Sequence, residues 1–207
     1  MRFDTSMTRL PLALCAAIAA AALLPQGASA ASHCKLPKRA QVAGKSSLVV
    51  AYTLANSEGG RNLYGCRLSN GRRTRIFTGM DDGISSSSAV TKVIVNGRFI
   101  GMQIEDYDIS CKADCPPGYN PYTYTLARFD VLKRKAYSVT GQAADGAFVV
   151  SGRFGWIAWV QSAGLAFEVH VNKTTIDTGA IDSSTFKLTG ATLSWTNGGV
   201  AKTASLK

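Results

Sequence analysis

Acidic residues are scarce in this chain. Its 207 residues hold 13 Asp and Glu against 23 Lys and Arg, with two histidines, for a formal charge of +10. Few carboxylates and imidazoles leave few ways to assemble an acid–base pair or a metal centre. No phosphate-cradling loop, Gly-x-Gly-x-x-Gly fingerprint or Gly-x-Ser-x-Gly elbow occurs, so neither nucleotide chemistry nor an α/β-hydrolase nucleophile is indicated. No specific nucleic-acid motif is present either. Sustained helical periodicity is absent after residue 30, which argues against a helical class. Beyond Leu24 no apolar run approaches membrane-spanning length.

What is there begins with an export signal. Arg2 and Arg9 precede the apolar stretch Leu10 to Leu24, and Ala28-Ser29-Ala30 follows as a small-x-small site. This pattern predicts a signal peptide over residues 1–30, cleaved before Ala31. The stretch is short for a permanent anchor of about 20 residues. A lipoprotein reading of Cys15 meets Leu14, which is too large for the usual lipobox. Residues 31–207 then form one domain, large enough to bury a core without staples. Loss of Arg2, Arg9 and Asp4 leaves a formal charge of about +9, which attracts polyanions such as an anionic envelope polymer. Basic residues are dense only at Arg72-Arg73-Thr74-Arg75 and Lys133-Arg134-Lys135. Both stretches fall at predicted hairpin turns and read as solvated charge.

Four cysteines remain after cleavage: Cys34, Cys66, Cys111 and Cys115. An even count in an exported chain predicts two disulfides, with three pairings open. The simplest pairing closes a local Cys111–Cys115 loop before Pro116-Pro117. Cys34–Cys66 then ties the N-terminus to the first hairpin. A zinc reading lacks a second pair at matched spacing.

The rest is written in strands. A phrase recurs: Val95-Asn96-Gly97-Arg98-Phe99-Ile100, then Val150-Ser151-Gly152-Arg153-Phe154-Gly155, and more weakly Leu188-Thr189-Gly190-Ala191-Thr192-Leu193. Each copy is an apolar run, a small-residue turn and a second apolar run, the mark of a repeated supersecondary unit. Asn70-Gly71, Asn96-Gly97 and Asn197-Gly198 are strong hairpin signals, because both residue types tolerate positive φ. The turns divide the mature chain into four units, starting near Ala40, Val90, Ala147 and Thr185. Three units show four strands and the last shows three. Asn56–Asn62 and Asp106–Pro121 read as insertion loops, and Ser85–Ser88 as a polar linker.

Tandem four-stranded antiparallel units predict an all-β, propeller-like fold of about four blades, its ring closed or open; a β-sandwich is the alternative. The stretches Arg67-Leu68-Ser69-Asn70-Gly71-Arg72-Arg73 and Phe129-Asp130-Val131-Leu132-Lys133-Arg134-Lys135-Ala136-Tyr137 resemble blades of degenerate WD-repeat and Tol-system periplasmic propellers. The ending Leu193-Ser194-Trp195-Thr196-Asn197-Gly198-Gly199 looks like the last unit of secreted bacterial proteins of this type. The Trp-Asp and Gly-His pairs that define WD repeats are absent.

Candidate chemistry concentrates in the second unit. Asp106, Asp108 and Asp114, with Glu105, form its acidic group. Such a group suits Ca²⁺, although the EF-hand pattern is missing. Tyr107, Tyr119 and Tyr122, with Tyr124, crowd the same loop and its flank, where rings can stack on sugars or on a partner's apolar side chains. Trp156 and Trp159, at odd spacing, must face opposite sides of one strand. His170 sits on the polar side of its strand with no catalytic partner in view. These features predict a secreted, non-enzymatic binding or scaffold module of the cell envelope. It would contact an anionic envelope polymer or a protein partner through the disulfide-closed loop from Asp106 to Pro121 and the basic turns, with Tyr107, Tyr119, Tyr122, Asp106, Asp108 and Asp114 as the candidate ligand-binding residues. The alternative is a secreted glycan hydrolase pairing Glu105 with Asp145 or Asp182.

Overall fold

A computed structural model describes residues 33–108, 116 and 118–206. The predicted signal peptide, Asp114 and the Cys111–Cys115 pair lie outside the described residues. Four small antiparallel sheets follow one another along the chain and are arranged as a four-bladed β-propeller. Blade 1 holds β1 (Gln41–Lys45), β2 (Val49–Ala55), β3 (Arg61–Arg67) and β4 (Arg73–Phe77). Blade 2 holds β5 (Met80–Asp81), β6 (Ser86–Asn96), β7 (Phe99–Asp108), β8 (Tyr122–Asp130) and β9 (Lys135–Thr140). Blade 3 holds β10 (Phe148–Val150), β11 (Ile157–Ala163), β12 (Ala166–Val171) and β13 (Thr174–Gly179). Blade 4 holds β14 (Ile181–Thr189), β15 (Thr192–Asn197) and β16 (Val200–Ser205). Within each sheet the strands pair in sequence order. Short hairpin turns require this, and Gly71, Gly97 and Gly198 take the positive φ those turns need.

Several boundaries differ from the sequence expectation: Arg61 and Asn62 open β3 instead of ending a loop, and Met80–Asp81 give blade 2 a fifth strand. Ser86–Ser88 are strand residues of β6 and not a linker. They pair with Asp106–Asp108, which are strand residues of β7 and not loop. Serine and aspartate are weak strand formers alone. Here cross-strand pairing carries them, and the Ser88 hydroxyl donates to Asp106.

Blades stack through apolar faces set by the two-residue alternation of each strand. Val49, Ala51 and Leu63 of blade 1 meet Ile100, Met102 and Phe129 of blade 2. Phe99, Leu126 and Val139 of blade 2 meet Phe148, Ile157 and Trp159 of blade 3. Val160 and Val169 of blade 3 meet Phe186, Leu193 and Trp195 of blade 4. Trp156 packs on this last cluster and Trp159 on the previous one, so the two rings do part to opposite sides.

The first turns of neighbouring blades also touch, which explains the recurring phrase. Ser46 Oγ donates to the Gly97 carbonyl at 2.6 Å. Asn96 Nδ2 donates to the Val150 carbonyl at 2.9 Å. A Cβ on Gly97 would stand 2.8 Å from the Gly152 carbonyl oxygen. A small turn in each copy therefore lets the next blade approach.

The two end blades are finished differently. Residues 33–40 lie across the outer face of blade 1, where Cys34, Leu36 and Ala40 pack on Val50, Tyr52 and Cys66. The Cys34–Cys66 disulfide ties them down, with Cα atoms 6.1 Å apart. On blade 4 the register aligns Leu188, Leu193 and Ala204 on the inner face. Lys187, Ser194 and Thr203 alternate onto the outer one. A polar outer face needs no neighbour, as in the terminal units of repeat proteins. Among the described residues no buried apolar cluster joins blade 4 back to blade 1.

Asp177 of β13 latches blade 3 to blade 4. It accepts from Trp195 Nε1 at 2.6 Å, Asn197 Nδ2 at 3.0 Å and the Thr178 N–H at 3.0 Å. Partial burial pushes its pKa up, but the bonds from Trp195, Asn197 and Thr178, with Lys202 nearby, hold it below the usual carboxylate range. Asp177→Ala leaves the buried Trp195 N–H unpaired and should cost about 1–3 kcal/mol at neutral pH. Because the folded pKa is depressed, the stabilisation is full above the unfolded value of about 3.9 and is lost as pH falls through the folded value. Urea midpoints of native and variant protein should therefore converge in acid. A gap that is constant with pH would place the effect elsewhere.

Candidate binding surface

Blade 2 overhangs its neighbours. Its strands β6, β7 and β8 run 11, 10 and 9 residues, whereas β1, β2 and β3 run 5, 7 and 7 and β10, β11 and β12 run 3, 7 and 6. The excess forms a three-stranded ribbon from Ser86–Val90, Ile104–Asp108 and Tyr122–Thr125. A register shift between Val90 and Lys92 marks where the ribbon leaves the blade. Bulges bend and re-aim strands in this way.

Alternation sorts the ribbon's side chains. Tyr107 lies directly opposite Tyr122, and Glu105 opposite Tyr124. All four share the face that carries Phe99 and Leu126, the side toward blade 3. The Tyr107 and Tyr122 rings stand 4.9 Å apart, tilted by 47°. Partial burial, then the Glu105 charge and its hydrogen bond, push the Tyr124 phenol above its ordinary pKa. Tyr122 is 42% exposed and Tyr119 41%. The result is a tyrosine platform with one carboxylate on it.

The remaining predicted residues are placed differently. Asp106 points to the opposite face, the one carrying Met102 and Ile104, and accepts from Ser88. That face borders a groove of about 460 Å³ against blade 1, lined by Arg61, Leu63, Met80, Asp81, Ser88 and Val90 among others. Asp108 ends β7, and its N–H donates to the Pro121 carbonyl at 2.9 Å. The Tyr119 hydroxyl donates to the Asp108 carbonyl at 2.8 Å, and the Tyr119 N–H to the Pro116 carbonyl. Tyr119 thereby secures the base of the loop while its ring stays exposed. Among the described residues no three His, Cys, Asp or Glu side chains gather closely enough to hold a metal ion. Asp114, the fourth acid of the calcium expectation, is not among them.

Glu105 lies on β7, whereas Asp145 precedes β10 and Asp182 lies on β14. Asp145 accepts from Ser183 Oγ at 2.8 Å and lines a cavity with Lys92, Gly146 and Phe148 near β14. Asp182 accepts from the Ser184 hydroxyl at 2.6 Å. Glu105 is not on that cavity's wall. His170 has more neighbours than its sequence context suggests. Its ring stacks on Trp159 at 4.8 Å, Nδ1 lies 3.2 Å from Thr175 Oγ1, and Nε2 lies 2.9 Å from Glu168.

The sequence reading leaves Glu105 and Tyr124 outside the contact set. The signal for them is present: Glu105 is two residues before Tyr107 and Tyr124 two after Tyr122, so period two puts all four on one face. The same reading takes Lys133 and Lys135 as solvated turn charges, and only its binding hypothesis adds the basic turns to the contact surface. In the structure they line a cleft with Arg98 and Arg128.

Comparison with protein families, curated proteins and solved structures finds no match for this chain. No helix among the described residues is long and apolar enough to cross a membrane.

Proposed function

We propose that this chain is an exported, non-catalytic binding module of the cell envelope. Its contact surface is the tyrosine face of the blade 2 ribbon. One observation carries the reading: the blade whose β6, β7 and β8 outrun the corresponding strands of both neighbouring blades bears Tyr107, Tyr122, Tyr124 and Glu105 on a single face. Rings held on a rigid sheet offer large contact area at little entropic cost. Glu105 adds a hydrogen-bond acceptor for sugar hydroxyls, so a saccharide polymer of the envelope is the fitting partner. The Cys34–Cys66 disulfide supports an oxidising compartment.

The test is co-sedimentation of the oxidised domain with envelope polysaccharide, beside Tyr107→Ala/Tyr122→Ala. Loss of two stacking rings at about 0.5–1.5 kcal/mol each should weaken binding about tenfold or more. Both positions are partly exposed ribbon sites, so the fold should survive, as thermal unfolding would check. Unaltered affinity would remove the ribbon from the proposal. Release of soluble sugar during the assay would favour the hydrolase.

A further inference from the structure

A second surface lies at the opposite end of blade 2, where its turns meet blade 3. Arg98 lies in the turn between β6 and β7, Lys133 in the turn between β8 and β9, and Lys135 opens β9. Arg128, on β8, pairs with Gly101 on one side and Tyr137 on the other. These side chains surround a cleft of about 260 Å³, with Phe99, Tyr137 and Phe154 in its walls.

The cleft is built, not incidental. Arg128 Nη1 donates to the Phe154 carbonyl at 2.9 Å and to the Gly155 carbonyl, holding the guanidinium across the two blades. Its Cζ lies over the Tyr137 ring, 4.9 Å from the centroid, and over the Phe99 ring at 5.7 Å. Arg98 lies 4.9 Å from the Phe99 ring. The carboxylate in the cleft wall, Asp130, is 6% exposed and already engaged. It accepts from the Leu132 and Lys133 N–H groups, and its other oxygen is 3.0 Å from Arg98 Nε. Lys133 and Lys135 are exposed and have no carboxylate within ion-pair distance among the described residues. Four cations thus converge on one neutralised acid, in a space smaller than a drug-sized site.

We propose that this cleft binds one ester-linked oxyanion, a phosphate or sulfate, carried on a sugar ring of a polymer. Planar guanidinium groups match such oxyanions. Phe154, 39% exposed at the rim, supplies the surface against which the ring lies. The site is independent of the ribbon and does not rest on it.

The experiment measures affinity of the oxidised domain for dextran sulfate, dextran phosphate, uncharged dextran and inorganic polyphosphate. Lys133→Gln/Lys135→Gln is compared with Arg72→Gln/Arg75→Gln, which removes the same charge from exposed positions on blade 1. All four side chains are exposed, so both variants should unfold at the native temperature. The expected result is binding of charged dextran but not of uncharged dextran. Binding falls about tenfold in the first variant and far less in the second. The stronger of the two charged dextrans identifies the ester. Phe154→Ala should weaken charged dextran and leave polyphosphate unchanged. Equal losses in the two lysine and arginine variants would overturn the proposal, because net charge alone would then explain attraction. Polyphosphate binding that exceeds both dextrans would overturn the sugar-ring assignment. Tyr107→Ala/Tyr122→Ala should leave this binding intact.

Discussion

Replacing Cys34 and Cys66 together with alanine is expected to lower the stability of the domain by about 3–4 kcal/mol and its melting temperature by about 10 °C. The bond closes a loop with a sequence separation of 32 residues, and loop-closure entropy of the unfolded chain sets that magnitude. A second loss adds to it. The bond holds residues 33–40 over Tyr52 and Tyr64, whose rings stack at 5.3 Å with 11° between planes. Weaker ties accompany it: the His33 N–H to the Leu68 carbonyl at 3.4 Å, and Arg73 to the Lys35 carbonyl. Once undocked, the segment leaves the outer apolar face of blade 1 in water. Tyr52, only 1% exposed in the folded domain, would then be open to solvent. Calorimetry of the double variant should show this fall, and native protein in reductant, which also opens any Cys111–Cys115 bond, a fall at least as large. Light scattering should show concentration-dependent self-association, which is what an uncovered apolar patch promotes. An unchanged melting temperature would mean that the segment docks without the bond and that chain entropy is not its contribution.

The local features of the fold are legible in the sequence. All three Asn-Gly pairs fall at hairpin turns, and in each the glycine takes the positive φ that the turn demands. The odd spacing of Trp156 and Trp159 signals that their rings part, as they do, although Trp156 lies just before β11 and not in it. The units starting near Ala40, Val90, Ala147 and Thr185 correspond to the four blades, because turn chemistry punctuates each one. What is not legible is non-local. Ser86–Ser88 look like linker because their strand character comes from partners about 20 residues away. The ribbon's tyrosines stand out because they sit in one segment. The cleft does not, because Arg98, Arg128, Lys135 and Phe154 come from four places along the chain. The repeat holds a partial clue: Arg98-Phe99 and Arg153-Phe154 follow the glycine of equivalent turns. That equivalence puts both pairs at the same end of adjacent blades. Blade stacking, which sequence periodicity does not encode, then closes the cleft between them.

The spacing of those blades depends on a missing side chain. Gly101 of β7 has no conformational need to be glycine, since its φ is not positive. Its need is space. A Cβ there would overlap Val150 Cγ2 and stand 3.3 Å from Phe148 Cε2, both on β10 of the next blade. Val150 and Phe148 are 1% and 3% exposed and sit in the cluster that joins blades 2 and 3. Neither sheet can yield cheaply, because each is hydrogen-bonded to its own neighbours. Gly101→Ala should therefore fall at the upper end of the overpacking range of about 1–3 kcal/mol. At this chain length that corresponds to a melting temperature lower by about 6–10 °C. Gly190→Ala provides the contrast. Gly190 has φ +61 and open space around its Cβ position, so only backbone strain of about 1–2 kcal/mol applies. The double variant Gly101→Ala/Val150→Ala separates crowding from any other effect, since residues in contact are the ones that fail to add. If crowding is the cause, Val150→Ala should cost less in the Gly101→Ala background than in the native one. Strict additivity would mean that the blades have room at this point. Recovery would identify Val150 as the side chain that sets the distance between blades 2 and 3, and with it the width of the cleft at their turns.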